Sequence, residues 1–315
     1  MSSHDLEASA MRITLTGATG TIGREVAKQL LDAGHDVLAL SRDSDRGRSA
    51  LDPRAEVLEW REPTEVPPPV QALSGCDAVI HLLGEPISQR WDERSKRRIR
   101  DSRVKSTGRL VAGLTALPEP DRPRVLVSQS ATGFYGPLGA GPVDEGADAG
   151  GGFLAGVVVE WEQAAAAAGG IMRVVMTRTG VVLSPSGGAL AKMLPFFRAG
   201  IGGPAAGGRQ YVSWVHLADV AGALRLCAES DELTGPVNVT APEAVTNAEL
   251  SRALGRALRR PAFLPVPGFA LQALYGEMSE IVTTGQRVLP ARLQSLGYEF
   301  RYPELDVALR DVLDG

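Results

Sequence analysis

Thr16-Gly17-Ala18-Thr19-Gly20-Thr21-Ile22-Gly23 follows directly on the apolar run Arg12–Thr16 (RITLT) and opens a helical pattern, Thr21–Ala33, that stops at Gly34. A strand, a glycine turn and a helix in that order fit one purpose well. Gly17 permits the tight turn, Gly20 lets backbone approach a pyrophosphate, and Gly23 lets the helix pack close to the sheet. The helix N-terminus presents unpaired N–H groups and the positive end of the macrodipole to an anion. Gly17, Thr19, Gly20, Thr21, Ile22 and Gly23 are therefore expected to cradle the pyrophosphate of a dinucleotide.

The same rhythm continues outward from this turn. Asp36–Leu40 (DVLAL), Glu56–Trp60, Asp77–Leu83 (DAVIHLL), Arg124–Ser128 (RVLVS) and Met172–Thr177 read as strands. A long basic helix is expected between Asp92 and Leu117, and another over Phe153–Ala168, after the glycine-rich loop Gly133–Gly152. Strands alternating with helices predict an α/β fold, a doubly wound parallel sheet of the Rossmann kind with six or seven strands. It should occupy residues 11–180, with some later segments returning to it, and residues 1–10 should be a disordered tail. Beyond 180 the pattern shortens. Helices Ala218–Ala228 and Asn247–Leu258 and the prolines 261, 265, 267, 290 and 303 predict a smaller C-terminal lobe over 181–315.

The spacing Gly-x-x-Gly-x-x-Gly resembles the extended, epimerase-like branch of the short-chain dehydrogenase/reductase superfamily. Further blocks fall in the same order: His81-Leu82-Leu83-Gly84-Glu85-Pro86-Ile87, Ser102-Arg103-Val104 with Thr107, Ser128-Gln129-Ser130-Ala131 through Tyr135-Gly136, and Arg178-Thr179-Gly180-Val181-Val182-Leu183-Ser184-Pro185. Trp214-Val215-His216-Leu217-Ala218-Asp219 and Gly285-Gln286-Arg287-Val288 follow. Together they look like an NAD(P)-dependent epimerase/dehydratase-like subgroup with its own C-terminal domain of unknown function. The resemblance implies that Leu82, Leu83 and Gly84, and Ser128 on strand five, also border the cofactor.

The end of strand two decides which dinucleotide is bound. An acid there would take the ribose 2′-OH of NAD. This chain has Ser41 and Arg42 instead, followed by Asp43. A guanidinium meets a 2′-phosphate with charge-assisted hydrogen bonds, so Ser41 and Arg42 point to NADP. Asp43 turned back toward a ribose would favour NAD, the lesser alternative.

The resemblance implies a serine at the end of strand five and a Tyr-x-x-x-Lys pair on the next helix. Ser130 matches the serine. The helix reads Phe153-Leu154-Ala155-Gly156-Val157-Val158-Val159-Glu160-Trp161-Glu162, with no tyrosine and no lysine. Apolar side chains transfer no protons, so the standard mechanism does not carry over. The loop after strand five supplies Tyr135, Asp144 and Glu145. Ser130, Tyr135 and Glu145 are the catalytic candidates, although the Tyr-Gly pair after strand five is commonly a loop anchor in the extended branch. The expected function is that of an NADP-dependent oxidoreductase or epimerase-like enzyme on an unidentified small molecule. The alternative is a catalytically silent NADP-binding regulator or scaffold.

Composition bounds the rest. The 315 residues are 44% hydrophobic and 22% charged, with a net charge of -4, which offers no general attraction to nucleic acid or acidic membranes. The basic run Arg94–Lys105 carries Ile99 and Val104 at helical spacing and reads as a solvated helix face. By the same resemblance the loop Gly200–Gln210 sits where the extended branch closes over its substrate, and it reads either as an anion contact or as a mobile turn only. Cys76 and Cys227 read as free thiols, and His4, His35, His81 and His216 do not cluster as metal ligands, so no metal is expected. His81 reads as a packed strand residue and His216 as a local cap. A small molecule is the expected partner, with no nucleic acid and no membrane, in a cytoplasmic monomer or homodimer.

Overall fold

The computed structural model describes residues 10–314; the expected tail lies, apart from residue 10, outside them. Seven strands form one sheet: β1 Arg12–Thr16, β2 Asp36–Ser41, β3 Glu56–Glu59, β4 Ala78–His81, β5 Val125–Ala131, β6 Arg173–Thr179 and β7 Gly235–Val239. Their order is β3-β2-β1-β4-β5-β6-β7 and every pairing is parallel. Order reverses between β1 and β4, the switch point where an open α/β sheet leaves a crevice at its C-terminal edge.

Nine helices of seven residues or more surround the sheet among the described residues: α1 Thr21–Asp32, α2 Ser44–Ala50, α3 Glu93–Ala116, α4 Phe153–Ala166, α5 Gly188–Arg198, α6 Leu217–Glu229, α7 Asn247–Leu258, α8 Gly268–Tyr275 and α9 Leu305–Asp314. Strand side chains alternate between two cores. Ile13, Leu15, Ile80 and Val127 meet Val26 and Leu30 of α1 and Leu224 of α6. Leu38, Val79, Leu126 and Val174 meet Leu110 and Leu114 of α3 and Ala165 of α4. Burial on both faces explains why these strands read as continuous apolar runs. A third core joins Leu194 and Phe197 of α5, Leu254 of α7 and Leu309 of α9 around Trp214.

Two differences from the sequence reading matter for the site. β4 stops at His81, so Leu82 and Leu83 lie beyond it, whereas β5 and β6 run past Ser128 and Thr177. They extend because they pair with each other there, with Ser130 beside Arg178 and Ala131 beside Thr179. The seventh strand comes from beyond residue 180 and completes the sheet edge. Arg173 helps fix it, donating from Nη1 to the Leu233 carbonyl at 2.7 Å.

Local capping matches the chain chemistry. His216 caps α6, its Nδ1 accepting from the Ala218 N–H at 3.1 Å. Thr246 and Glu249 form a reciprocal capping box on α7. The basic face of α3 is less uniformly solvated than its charges suggest. Ile99 is fully buried, and Arg103 lies over the Trp161 ring at 5.3 Å. Burial pulls the Arg103 guanidinium down to about 10. No helix among the described residues is long and apolar enough to cross a membrane.

Candidate cofactor site and the buried network beside it

The glycine turn has the geometry its spacing predicts. Gly17 sits at φ +68, and a Cβ there would lie 2.8 Å from the Leu82 carbonyl oxygen. A Cβ on Gly23 would run into the Gly17 carbonyl. Both positions need glycine, one for its backbone and both for closeness. Gly20 stands at the N-cap of α1, and no side chain caps the helix. The first-turn N–H groups of Thr21, Ile22 and Gly23 are therefore left for an anion. Thr19, partly exposed, accepts from Arg24 Nε at 3.0 Å through its carbonyl, which braces the turn. A Cβ on Gly187 would strike Thr21 Oγ1, so the Ser184–Gly188 turn closes against the same place.

At the end of β2 the polar groups divide. Ser41 donates from Oγ to the Asp43 carbonyl at 2.7 Å. Asp43 caps α2, accepting from the N–H groups of Asp45 and Arg46, both at 3.0 Å. Its carboxylate is thereby engaged by the helix and is not turned toward a ribose. Arg42 is exposed and makes no side-chain hydrogen bond or ion pair among the described residues. Arg42 is thereby an unengaged cation at the end of β2.

Leu82 and Leu83 are half-buried and Gly84 is exposed at the mouth of the crevice. Ser128 is fully buried, level with His81 across the β4–β5 ladder. His81 is fully buried too. Its Nδ1 lies 2.8 Å from Thr16 Oγ1 and its Nε2 3.1 Å from Thr107 Oγ1. Burial pushes it down to about 3, so the ring is neutral at ordinary pH. It is a packed strand histidine.

Beyond Ser128 the strand ends carry a buried polar network. Ser130 donates to Glu162 Oε1 at 2.6 Å. Arg178 grips the same carboxylate with two hydrogen bonds, Nε to Oε1 at 2.8 Å and Nη2 to Oε2 at 2.9 Å. Its Nη1 reaches the Tyr135 hydroxyl at 3.1 Å, and its guanidinium lies 3.4 Å over the Phe134 ring. Burial works against the Arg178 charge, but hydrogen bonds to Glu162 and Tyr135 outweigh it and raise its pKa above the ordinary value. Tyr135 donates to Asn238 Oδ1 of β7 at 2.7 Å. Burial, first of all, holds its phenol above the usual range. Glu145 Oε1 accepts the backbone N–H groups of Asn238 at 3.0 Å and Arg292 at 3.2 Å.

The structure thus brings Ser130 and Tyr135 into one network through Arg178, and ties Glu145 to its rim. Ser130 is 1% exposed, Tyr135 0% and Glu145 9%, so all three polar ends are engaged by protein. Glu162 and Arg178 were not among the sequence candidates. A signal for Glu162 was present: Leu154, Val158 and Glu162 are spaced by four and share one helix face. Leu154 and Val158 flank Gly133, within 3.9 Å of a Cβ built there. No local pattern could reveal the Ser130–Glu162 contact, which spans 32 residues.

Comparison with known proteins agrees with this architecture. The profile of the NAD dependent epimerase/dehydratase family matches residues 13–240, and that of a domain of unknown function (DUF1731) matches 266–312. The chain is 38% identical over 310 residues to the mouse epimerase family protein SDR39U1, covering 96% of this chain and all of that one. It is 38% identical over 312 residues to the Arabidopsis thaliana chloroplastic homolog, covering 97% and 87%. The crystal structure of human SDR39U1 (isoform 2) with NADPH superposes with a TM-score of 0.86 at 34% identity, over 97% of this chain and 100% of that chain. MoeE5 with UDP-glucose and NAD shares the fold at a TM-score of 0.75 and 21% identity, over 96% and 97%. The glycine turn, the parallel sheet and the C-terminal segment all agree: this chain belongs to the NAD dependent epimerase/dehydratase family, with a DUF1731 segment at its C-terminal end.

Proposed function

We propose that the chain is an NADP-dependent oxidoreductase or epimerase-like enzyme acting on a small molecule at the C-terminal edge of the sheet. The observation that carries this reading is the Ser130–Glu162–Arg178 chain at the paired ends of β5 and β6. When bound, the cofactor supplies or accepts a hydride. The residues supply proton handling. Ser130 has one hydroxyl hydrogen, and it is donated to Glu162, so its oxygen is left as an acceptor for a substrate hydroxyl. As the Ser130 oxygen takes the substrate proton, its own hydroxyl proton moves to Glu162, and Arg178 keeps that carboxylate in place. Gly17 to Gly23 hold the pyrophosphate and Arg42 the 2′-phosphate, with Ser41, Leu82, Leu83, Gly84 and Ser128 shaping the walls. Tyr135 and Glu145, proton-transfer candidates by sequence, fit better as anchors that fasten the loop to β7.

A second reading has its own support. Leu154 and Val158 occupy the helix face where an acid/base pair belongs, and Ser130 is closed off from solvent. Both suit a catalytically silent NADPH-binding regulator. A screen of aldehydes, ketones and nucleotide sugars, followed by NADPH absorbance and by product analysis for epimers, separates the two. Turnover that falls in Ser130→Ala and Glu162→Gln at unchanged NADPH affinity supports the enzyme. Unchanged turnover in both variants removes the proposed mechanism. Tight NADPH binding with no conversion of any compound favours the regulator.

A further inference from the structure

Two stretches, 192–214 (KMLPFFRAGIGGPAAGGRQYVSW) and 250–276 (LSRALGRALRRPAFLPVPGFALQALYG), together hold seven Lys or Arg and no Asp or Glu. The chain as a whole has more acids than bases, 37 to 33. The fold lays the two stretches side by side. Val266 N–H donates to the Pro204 carbonyl and Ala206 N–H to the Val266 carbonyl, both at 2.9 Å, and Gly200 abuts Pro261. Along this ridge stand the exposed side chains of Phe196, Ile201 and Leu264, with Phe263 at 72% and Phe269 at 78% exposure. Side chains this large and this open, grouped on one ridge, mark an interaction surface. The exposed cations Arg198, Arg259 and Arg260 border it and have no ion-pair partner among the described residues, while Arg256 is held by Asp306 at 2.8 Å.

We propose that this ridge docks the chain on the surface of an anionic lipid membrane. The phenyl rings enter the boundary of headgroups and acyl chains, and the arginines meet lipid phosphates and carboxylates. Charge complementarity selects this occupant. A second copy in a two-fold contact would set the same unpaired arginines against themselves. The sequence expectation of no membrane partner drew on the lack of a spanning apolar run, which surface docking does not need, and on a net charge of -4, an average over the whole chain.

Co-sedimentation of the full chain with vesicles tests the proposal, using phosphatidylcholine alone and phosphatidylcholine with a minority of phosphatidylserine. Binding should require phosphatidylserine and weaken as salt is raised. Each arginine removed should weaken binding about fivefold, so Arg259→Ala with Arg260→Ala costs roughly 25-fold. Phe263→Ser with Phe269→Ser should abolish sedimentation, and both pairs should keep the parental NADPH affinity, a check that they fold. No sedimentation with either vesicle, or equal sedimentation with both, overturns it. So does a dimer in sedimentation velocity that Phe263→Ser with Phe269→Ser converts to monomer while the vesicles stay bare.

Discussion

Replacing Arg178 by methionine tests the buried network most directly. The side chains of Arg178 and Glu162 are 5% and 10% exposed, and two hydrogen bonds join them. Methionine keeps much of the volume and a favourable contact with Phe134, so the main loss is the charge. Glu162 is left buried with only Ser130 as a partner. Removing one member of a buried ion pair costs about 3–5 kcal/mol, because the other charge stays uncompensated. For a chain of this size that lowers the melting temperature by roughly 5–8 °C. The double variant Glu162→Gln/Arg178→Met buries a neutral amide instead, and should recover about 2 kcal/mol of the loss. Thermal unfolding followed by circular dichroism reads both. An Arg178→Met variant within about 1 kcal/mol of the parent would refute the reasoning. So would a double variant that melts below the single one.

Three further outcomes are expected. Gly20→Asp should remove NADPH binding in calorimetry while the chain stays folded: aspartate is a good N-cap for α1, but its charge stands where the pyrophosphate belongs; parental affinity would place the cofactor elsewhere. Arg42→Ala should weaken NADPH binding about tenfold to a hundredfold and NADH binding far less, and equal losses would show that Arg42 does not read the 2′-phosphate. His81 is lowered from its ordinary 6.5 to about 3 by burial. Below pH 6.5 the unfolded chain therefore takes up a proton that the folded chain refuses, and stability falls with pH until about 3. At pH 5 this amounts to about 2 kcal/mol, so His81→Gln should flatten the fall in melting temperature between pH 6.5 and 5, and an unchanged slope would contradict the burial argument.

The sequence by itself determined the parallel sheet and the strand, glycine turn and helix that open it. The turn is legible because it is largely local: Gly17 is needed for its positive φ, and Gly23 for its closeness to the Gly17 carbonyl six residues before it. Continuous apolar runs report burial on both faces of β1, β4 and β5 because neighbours along the strand point to opposite cores. Other matters needed the fold. Asp43 could have faced a ribose or a helix until α2 was seen to start on it. The seventh strand, Gly235–Val239, is short and opens on glycine and proline, and only pairing with β6 reveals it. Whether Ser130, Tyr135 and Glu145 stand open or engaged was equally hidden. Their partners Glu162, Asn238 and Arg292 lie 32, 103 and 147 residues away. Contacts over such separations are made by strand order and helix packing, which hold together residues whose spacing along the chain carries no period at all.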